Sequence, residues 1–374
     1  MKSAMDKIRQ DPASAIEAQK QQGARIIGCF PLYPPAALFS AMDLLPVVLW
    51  GLKSAVPTLA ESDKHVQPYA CAIGRELMQF ILSAPGGLLD GVFAYNACDT
   101  LRNFPEIIAS ANRAAGRDIA MLHLHVPQVN PERSYAQNYL ENEITRLIES
   151  TENAFGVSFS PEKFHRATEA YARVRDLCRQ AEQRVAKGAL SFGAFCGAVL
   201  AGYFMPAAEQ EKHLDSLIAA ADEENPAGGI PVVVSGIMPP PPAVIRAMET
   251  AGLRVAANDI ASLRRSYGYS PPAMTDPGAY YTDFFANRPP CTTLLYHSDD
   301  RVTAFLQMVE NAGARGVIFC GEKFCEYEYF EFPYLEKRLK DMGVAVLFLE
   351  SGADEKENVA AQATRVAAFA EMLE

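Results

Sequence analysis

Eight cysteines are spread through the 374-residue chain, and the residues around them separate them into two kinds. Cys98 follows the apolar run GVFAYNA and Cys325 follows VIFCGEKF, so each is expected just beyond the carboxyl end of a strand. In open α/β sheets that is the edge where ligands bind. Cys71 opens an expected helix, CAIGRELMQFIL, where unpaired N–H groups and the helix dipole favour a thiolate. Three such sulfurs, two from the first half of the chain and one from the second, could converge across a cleft on one soft metal centre, an iron–sulfur cluster or zinc, or else be buried as small hydrophobes. No C-x2-C pair reinforces this; the nearest pair is Cys320 and Cys325. Cys29 ends the first expected strand at the same edge and is a further candidate ligand. Cys320 is expected in a strand core and Cys291 in a loop, each a ligand in reserve. Cys178 and Cys196 lie among Val174, Leu177, Ala181 and Val185, and among Phe192, Phe195, Val199 and Leu200, and are expected to pack as small hydrophobes.

Little else points to chemistry. There is no G-x-G-x-x-G after an expected strand and no G-x4-G-K-[ST], so any ATP dependence must come from another protein. His123 and His125 share one face of an expected strand, where a solvated strand end outweighs a metal site. His297, Ser298, Asp299 and Asp300 follow TTLLY, read as a strand, and fit a helix cap better than a cleft. No acid–base pair stands out.

The elements that must position these residues alternate short apolar runs with amphipathic helices, the pattern of a mostly parallel α/β sheet. ARIIGCF, LLPVVLWG, GVFAYN and IAMLHLHV read as strands, and Ile73, Leu77, Phe80 and Ile81 share one helical face. The second half repeats the order. PVVVSGIMPPPPAVIRAM echoes IIGCFPLYPPAALFSAM, RGVIFCGEKFCE echoes DGVFAYNACD, and VAVLFLES echoes IAMLHLHV, so two copies of one α/β unit are expected. Between them, Leu140, Ile144, Leu147, Ile148 and Thr151 form a helical stripe, and Ser160-Pro161-Glu162 starts a second helix running to about Lys187. The expected organisation is an N-terminal helical extension at 1–22, a first α/β domain at 23–136, a helical segment at 137–225 and a second α/β domain at 226–374.

Apolar residues make up 49% of the chain and charged ones 21%, enough for substantial cores. Forty-five acids against 34 bases give a net charge of −11, which disfavours nucleic acid as a partner. The first fifteen residues carry no apolar signal region and no run reaches the length of a membrane span, so a cytoplasmic protein is expected. In that reducing compartment structural disulfides are not expected.

Taken together, LLPVVLWG after a Pro-rich bend, DGVFAYNACDTLRN, the HVPQ turn and EKFCEYEYFEFPYLEKRLKDMGVAVLFLES resemble the benzoyl-CoA reductase and 2-hydroxyacyl-CoA dehydratase family, from about Ala24 to Gly352. The resemblance implies two Rossmann-like α/β domains holding a 4Fe-4S cluster on Cys71, Cys98 and Cys325. It implies a separate iron–sulfur activator ATPase that supplies one electron, an acyl-CoA thioester as acceptor, and a partner that is a paralogous subunit or a second copy. In the dehydratases a ketyl radical then lets a β-proton leave with the α-hydroxyl; in the reductases the electron enters an aromatic ring. A related branch carries a double-cubane cluster, for which Cys29, Cys320 and Cys291 would be the extra sulfurs. One departure matters: many members place a glutamate after the proline of the first bend, whereas here Pro35 is followed by Ala36 and Ala37. That suits a cluster-bearing, electron-relaying dehydratase subunit better than a substrate-binding one. A two-lobed binding protein without catalysis and a zinc protein are the rival classes.

Overall fold

In the computed structural model, residues 4–52, 55–224, 226–294, 298–352 and 358–374 are described. Residues 1–3 of the expected extension, Asn225 at an expected boundary and His297 lie outside them. The chain divides into two units, the first made of Met1–Arg175, Leu200–Glu211 and Tyr269–Arg288, the second of Asp176–Val199, Lys212–Gly268 and Pro289–Glu374. The division falls inside three successive helices, Pro161–Ala186, Phe192–Gly202 and Ala207–Ala219.

The first unit is built on β1 (Arg25–Phe30), β2 (Leu44–Val48), β3 (Gly91–Tyr95) and β4 (Ala120–Leu124), all parallel in the order β2-β1-β3-β4. β1 and β3 are buried almost throughout, which is why they read as continuous apolar runs instead of alternating ones. Parallel pairing demands crossovers, supplied by helices such as Ala36–Ala41, Ala72–Ser83 and Phe104–Ala114. The helix Ala72–Ser83 is buried on nearly every side rather than along one stripe: Glu76 is buried too, and Gln79 accepts from the Glu61 and Ser62 N–H groups. Leu140, Ile144 and Leu147 form the buried stripe of the helix Ser134–Phe155, which ends at Gly156 in the left-handed conformation. The extension forms helices Ala4–Gln10 and Pro12–Gln21. Lys20 on the second pairs at 2.8 Å with Asp90, which also accepts from Ile26 N–H in β1.

The second unit carries β5 (Ile230–Gly236), β6 (Leu253–Ile260), β7 (Gly316–Glu322) and β8 (Ala345–Ser351), parallel in the order β6-β5-β7-β8. The two sheets therefore have one topology, with the first and third strands of each central. A finer correspondence accompanies it. β3 and β7 both begin with glycine, and a methyl built on either would meet a phenylalanine ring at 2.7 Å, Phe155 at Gly91 and Phe369 at Gly316. The run TTLLY is no strand where it is described: Thr292–Leu294 forms a 3-10 turn closed by Leu294 N–H on Cys291 C=O at 3.0 Å, directly after Pro289 and Pro290.

Candidate functional site

Cys71, Cys98 and Cys325 each occupy the residue immediately before a helix, capping Ala72–Ser83, Asp99–Arg102 and Glu326–Asp341. They are also the three cysteines of partial exposure; the other five are buried. Each therefore stands at a helix N-terminus, where the unpaired amides of the first turn favour negative charge. At Cys98, burial pushes the thiol up, while the N–H groups of Leu101 and Thr100 favour the thiolate.

Local chain geometry explains how these sulfurs are placed. Cys98 follows β3 after Asn96 and Ala97, and the Asn96 amide ties the end of β3 to that of β4: its Oδ1 accepts from Val126 N–H at 2.7 Å and its Nδ2 donates to Val126 C=O at 3.1 Å. At Gly74 a methyl would lie 3.2 Å from the Phe104 ring and 3.5 Å from the Cys71 sulfur. Phe104 begins the helix that follows the turn capped by Cys98, so one ring joins the surroundings of Cys71 to the element next to Cys98. In the second unit Phe324 stands between β7 and Cys325 with φ 67°, the left-handed region that L residues adopt at a cost of roughly 1–2 kcal/mol. Lys323 N–H donates to Ser351 C=O at 2.6 Å and Cys325 N–H to Glu322 C=O at 2.9 Å, anchoring the turn on both sides. Glu328 then reaches back: its Oε2 accepts from Glu322 N–H at 2.7 Å, and burial pushes its carboxyl up to about 8.

The remaining sulfurs are packed. Cys29 is fully enclosed within β1, its thiol donates to Ile27 C=O at 3.5 Å, and burial pushes its pKa well up. Cys320 lies inside β7 between Gly236 and Leu349, and Cys178 and Cys196 are buried in their helices. Cys291 is buried in a turn with its sulfur 3.6 Å from Arg265 Nη1. Cys71 and Cys98 belong to the first unit and Cys325 to the second. Among the described residues no group of three or more His, Cys, Asp or Glu side chains is gathered as a metal site. His123 and His125 project into solvent from the end of β4. His125 Nε2 lies 3.1 Å from Asn96 Nδ2, and its ring packs edge-on against Tyr139.

A feature that sequence reasoning missed lies at the carboxyl end of the second sheet. Asp259 in β6 is buried and receives Arg265 Nε at 3.1 Å and Nη2 at 2.8 Å, Arg301 Nη1 at 3.0 Å and Nη2, and the Ser235 hydroxyl at 2.8 Å. Arg301 also pairs with Glu331 at 3.1 Å. Burial alone would raise the Asp259 pKa, but the two guanidinium groups outweigh it and hold it down at about 2. The network joins β5, β6 and the helices Arg264–Tyr267, Ser298–Asn311 and Glu326–Asp341, the last of which Cys325 caps. The only local signal is NDIASLRR, where an acid and two arginines lie close together at the end of an apolar strand.

Among the described residues no helix is long and apolar enough to cross a membrane. A family model described as "2-hydroxyglutaryl-CoA dehydratase, D-component" matches residues 31–373. The (R)-phenyllactyl-CoA dehydratase beta subunit of Clostridium sporogenes is 25% identical, covering 95% of this chain and 93% of that protein. The beta subunit of (R)-2-hydroxyglutaryl-CoA dehydratase from Acidaminococcus fermentans is 27% identical over 98% of this chain and 97% of its own length. A subunit of benzoyl-CoA reductase from Thauera aromatica is 23% identical over 85% of this chain and 83% of its own.

Proposed function

Because the chain belongs to the 2-hydroxyglutaryl-CoA dehydratase D-component family, we propose that it is the iron–sulfur component of an ATP-activated 2-hydroxyacyl-CoA dehydratase, holding one 4Fe-4S cluster on Cys71, Cys98 and Cys325. The observation that carries this is the shared placement of those cysteines: each caps a helix and each is partly exposed. The donor set fits the group, since cluster iron takes thiolates, and at Cys98 the Thr100 and Leu101 N–H groups act in favour of one. Such a cluster supplies one-electron transfer to a CoA thioester. The chain's own residues present the sulfurs and hold them on turns anchored by Asn96, Ser351 and Glu328.

A second, different polypeptide is part of the proposal, because the relatives are each named as one subunit of a dehydratase or a reductase. So is an activator ATPase, since this chain has no Walker loop. The five remaining cysteines are buried, which supports a single cubane over a double one. The benzoyl-CoA reductase relative favours a second reading, electron delivery to an aromatic ring. The test is anaerobic reconstitution with the partner subunit and activator. About four iron and four sulfide per chain with dehydration of a 2-hydroxyacyl-CoA supports the proposal. Reduction of benzoyl-CoA instead selects the second reading, about eight iron the double cubane, and zinc without sulfide overturns all three.

A further inference from the structure

Arg288, closing the helix Pro277–Asn287 of the first unit, is 7% exposed, and its Nε and Nη2 have no hydrogen-bond partner among the described residues. Those two N–H groups form one edge of the guanidinium, the edge that grips a carboxylate or phosphate with two parallel bonds. The same protein shows what fills such an edge: Arg265 donates its Nε and Nη2 to the two oxygens of Asp259. At Arg288 no described carboxylate takes that place.

The guanidinium carbon instead lies over the Tyr33 ring, 3.6 Å from its centre. Tyr33 sits in the bend after β1 with φ 73°, a left-handed conformation that L residues hold at a cost. Trp50, just beyond the end of β2, is likewise 7% exposed, and its Nε1 has no partner among the described residues. β1 and β2 are neighbours in register at Cys29 and Val48, so Tyr33 and Trp50 follow adjacent strand ends on the ligand-binding edge of the sheet. A buried cation with two N–H groups unpartnered among the described residues is unfavourable, and a strained residue lies directly against it. An oxyanion against the Nε and Nη2 edge relieves the first of these costs.

We infer that the bend at Tyr33, with Arg288 and Trp50, forms a subsite for an anionic oxygen group, a carboxylate or phosphate of the acyl-CoA thioester. The choice of acyl-CoA as its source rests on the function proposed above; the anion chemistry does not. Trp50 is the single tryptophan of the chain, so its emission reports the site.

The experiment titrates the full chain with inorganic phosphate, glutarate, coenzyme A and pantetheine, following Trp50 emission and heat, with iron measured on the same sample. A saturable response to glutarate identifies the acyl carboxylate as the source. A response to phosphate and coenzyme A but not pantetheine identifies the coenzyme. Arg288→Ala is expected to weaken either by about tenfold or more, and Arg288→Lys, which keeps the charge but loses the fork, by less. No saturable response to any of the probes, or equal affinity in folded Arg288→Lys and Arg288→Ala proteins and the parent, overturns the inference, as ordered water alone would give. Iron content is read separately, so a cluster-free chain that still binds the anion refutes only the function proposed above.

Discussion

Replacing Asp259 by asparagine tests the buried ion network at nearly constant shape. The parent carboxylate holds two guanidinium groups whose side chains are 1% and 2% exposed. In the variant Arg301 keeps Glu331, whereas Arg265 loses the carboxylate that accepts from its Nε and Nη2. The fall of the Asp259 pKa from 3.8 to about 2 corresponds to about 2.5 kcal/mol of stabilisation at neutral pH. Breaking a buried pair commonly costs about 3–5 kcal/mol, because it also strands the partner charge. We therefore expect a loss of about 3 kcal/mol and, for a unit of this size, a fall in melting temperature of roughly 6–12 °C. The folded pKa lies below the unfolded one, so the stabilisation is complete above pH 3.8 and is lost as pH falls through about 2. Calorimetry and urea denaturation near pH 7 measure the difference. A variant within about 0.5 kcal/mol of the parent would refute the network, since that is the range of an ordinary surface change.

Gly316→Ala places a methyl 2.7 Å from the Phe369 ring and 3.0 Å from Leu373, and should cost about 1–3 kcal/mol by overpacking, read by denaturation. Glu328→Gln keeps an acceptor for Glu322 N–H and removes a carboxyl whose pKa burial raises from 4.5 to about 8. The parent should lose stability relative to this variant as pH rises from 4.5 to about 8, so denaturation at pH 5 and pH 8.5 should show the variant gaining; an unchanged difference would contradict the burial of that carboxyl.

Most of the framework was readable from residue order. Continuous apolar runs such as GVFAYN and VVVSG can be satisfied only by strands covered on both faces, and the serine before Pro161 does cap its helix, accepting from Lys163 N–H at 3.2 Å. The duplication was legible because its segments recur in order; the matching sheet topology follows. Cys98 and Cys325 could be placed from strand ends, and Cys71 from the helix it precedes. Other features were hidden for definite reasons. Thr292–Leu294 has β-branched residues that read as a strand, but the two prolines before it favour a turn. The pairing of Asp259 with Arg301 spans 42 residues, and the stacking of Arg288 on Tyr33 is farther still, so no local pattern announces either. Glu76 and Gln79 on a buried helix face were invisible to periodicity, which registers hydrophobic spacing and not the hydrogen bonds that let polar groups be enclosed.

Cys71, Cys98 and Cys325 hold iron in the function proposed above, and the most direct test is iron and acid-labile sulfide per chain in anaerobically purified Cys71→Ser, Cys98→Ser and Cys325→Ser proteins beside Cys178→Ser and Cys196→Ser. About four of each are expected in the parent and in the last two, and a large loss in each of the first three. Full iron in the first three variants, or its loss only when a buried cysteine is changed, would contradict that assignment.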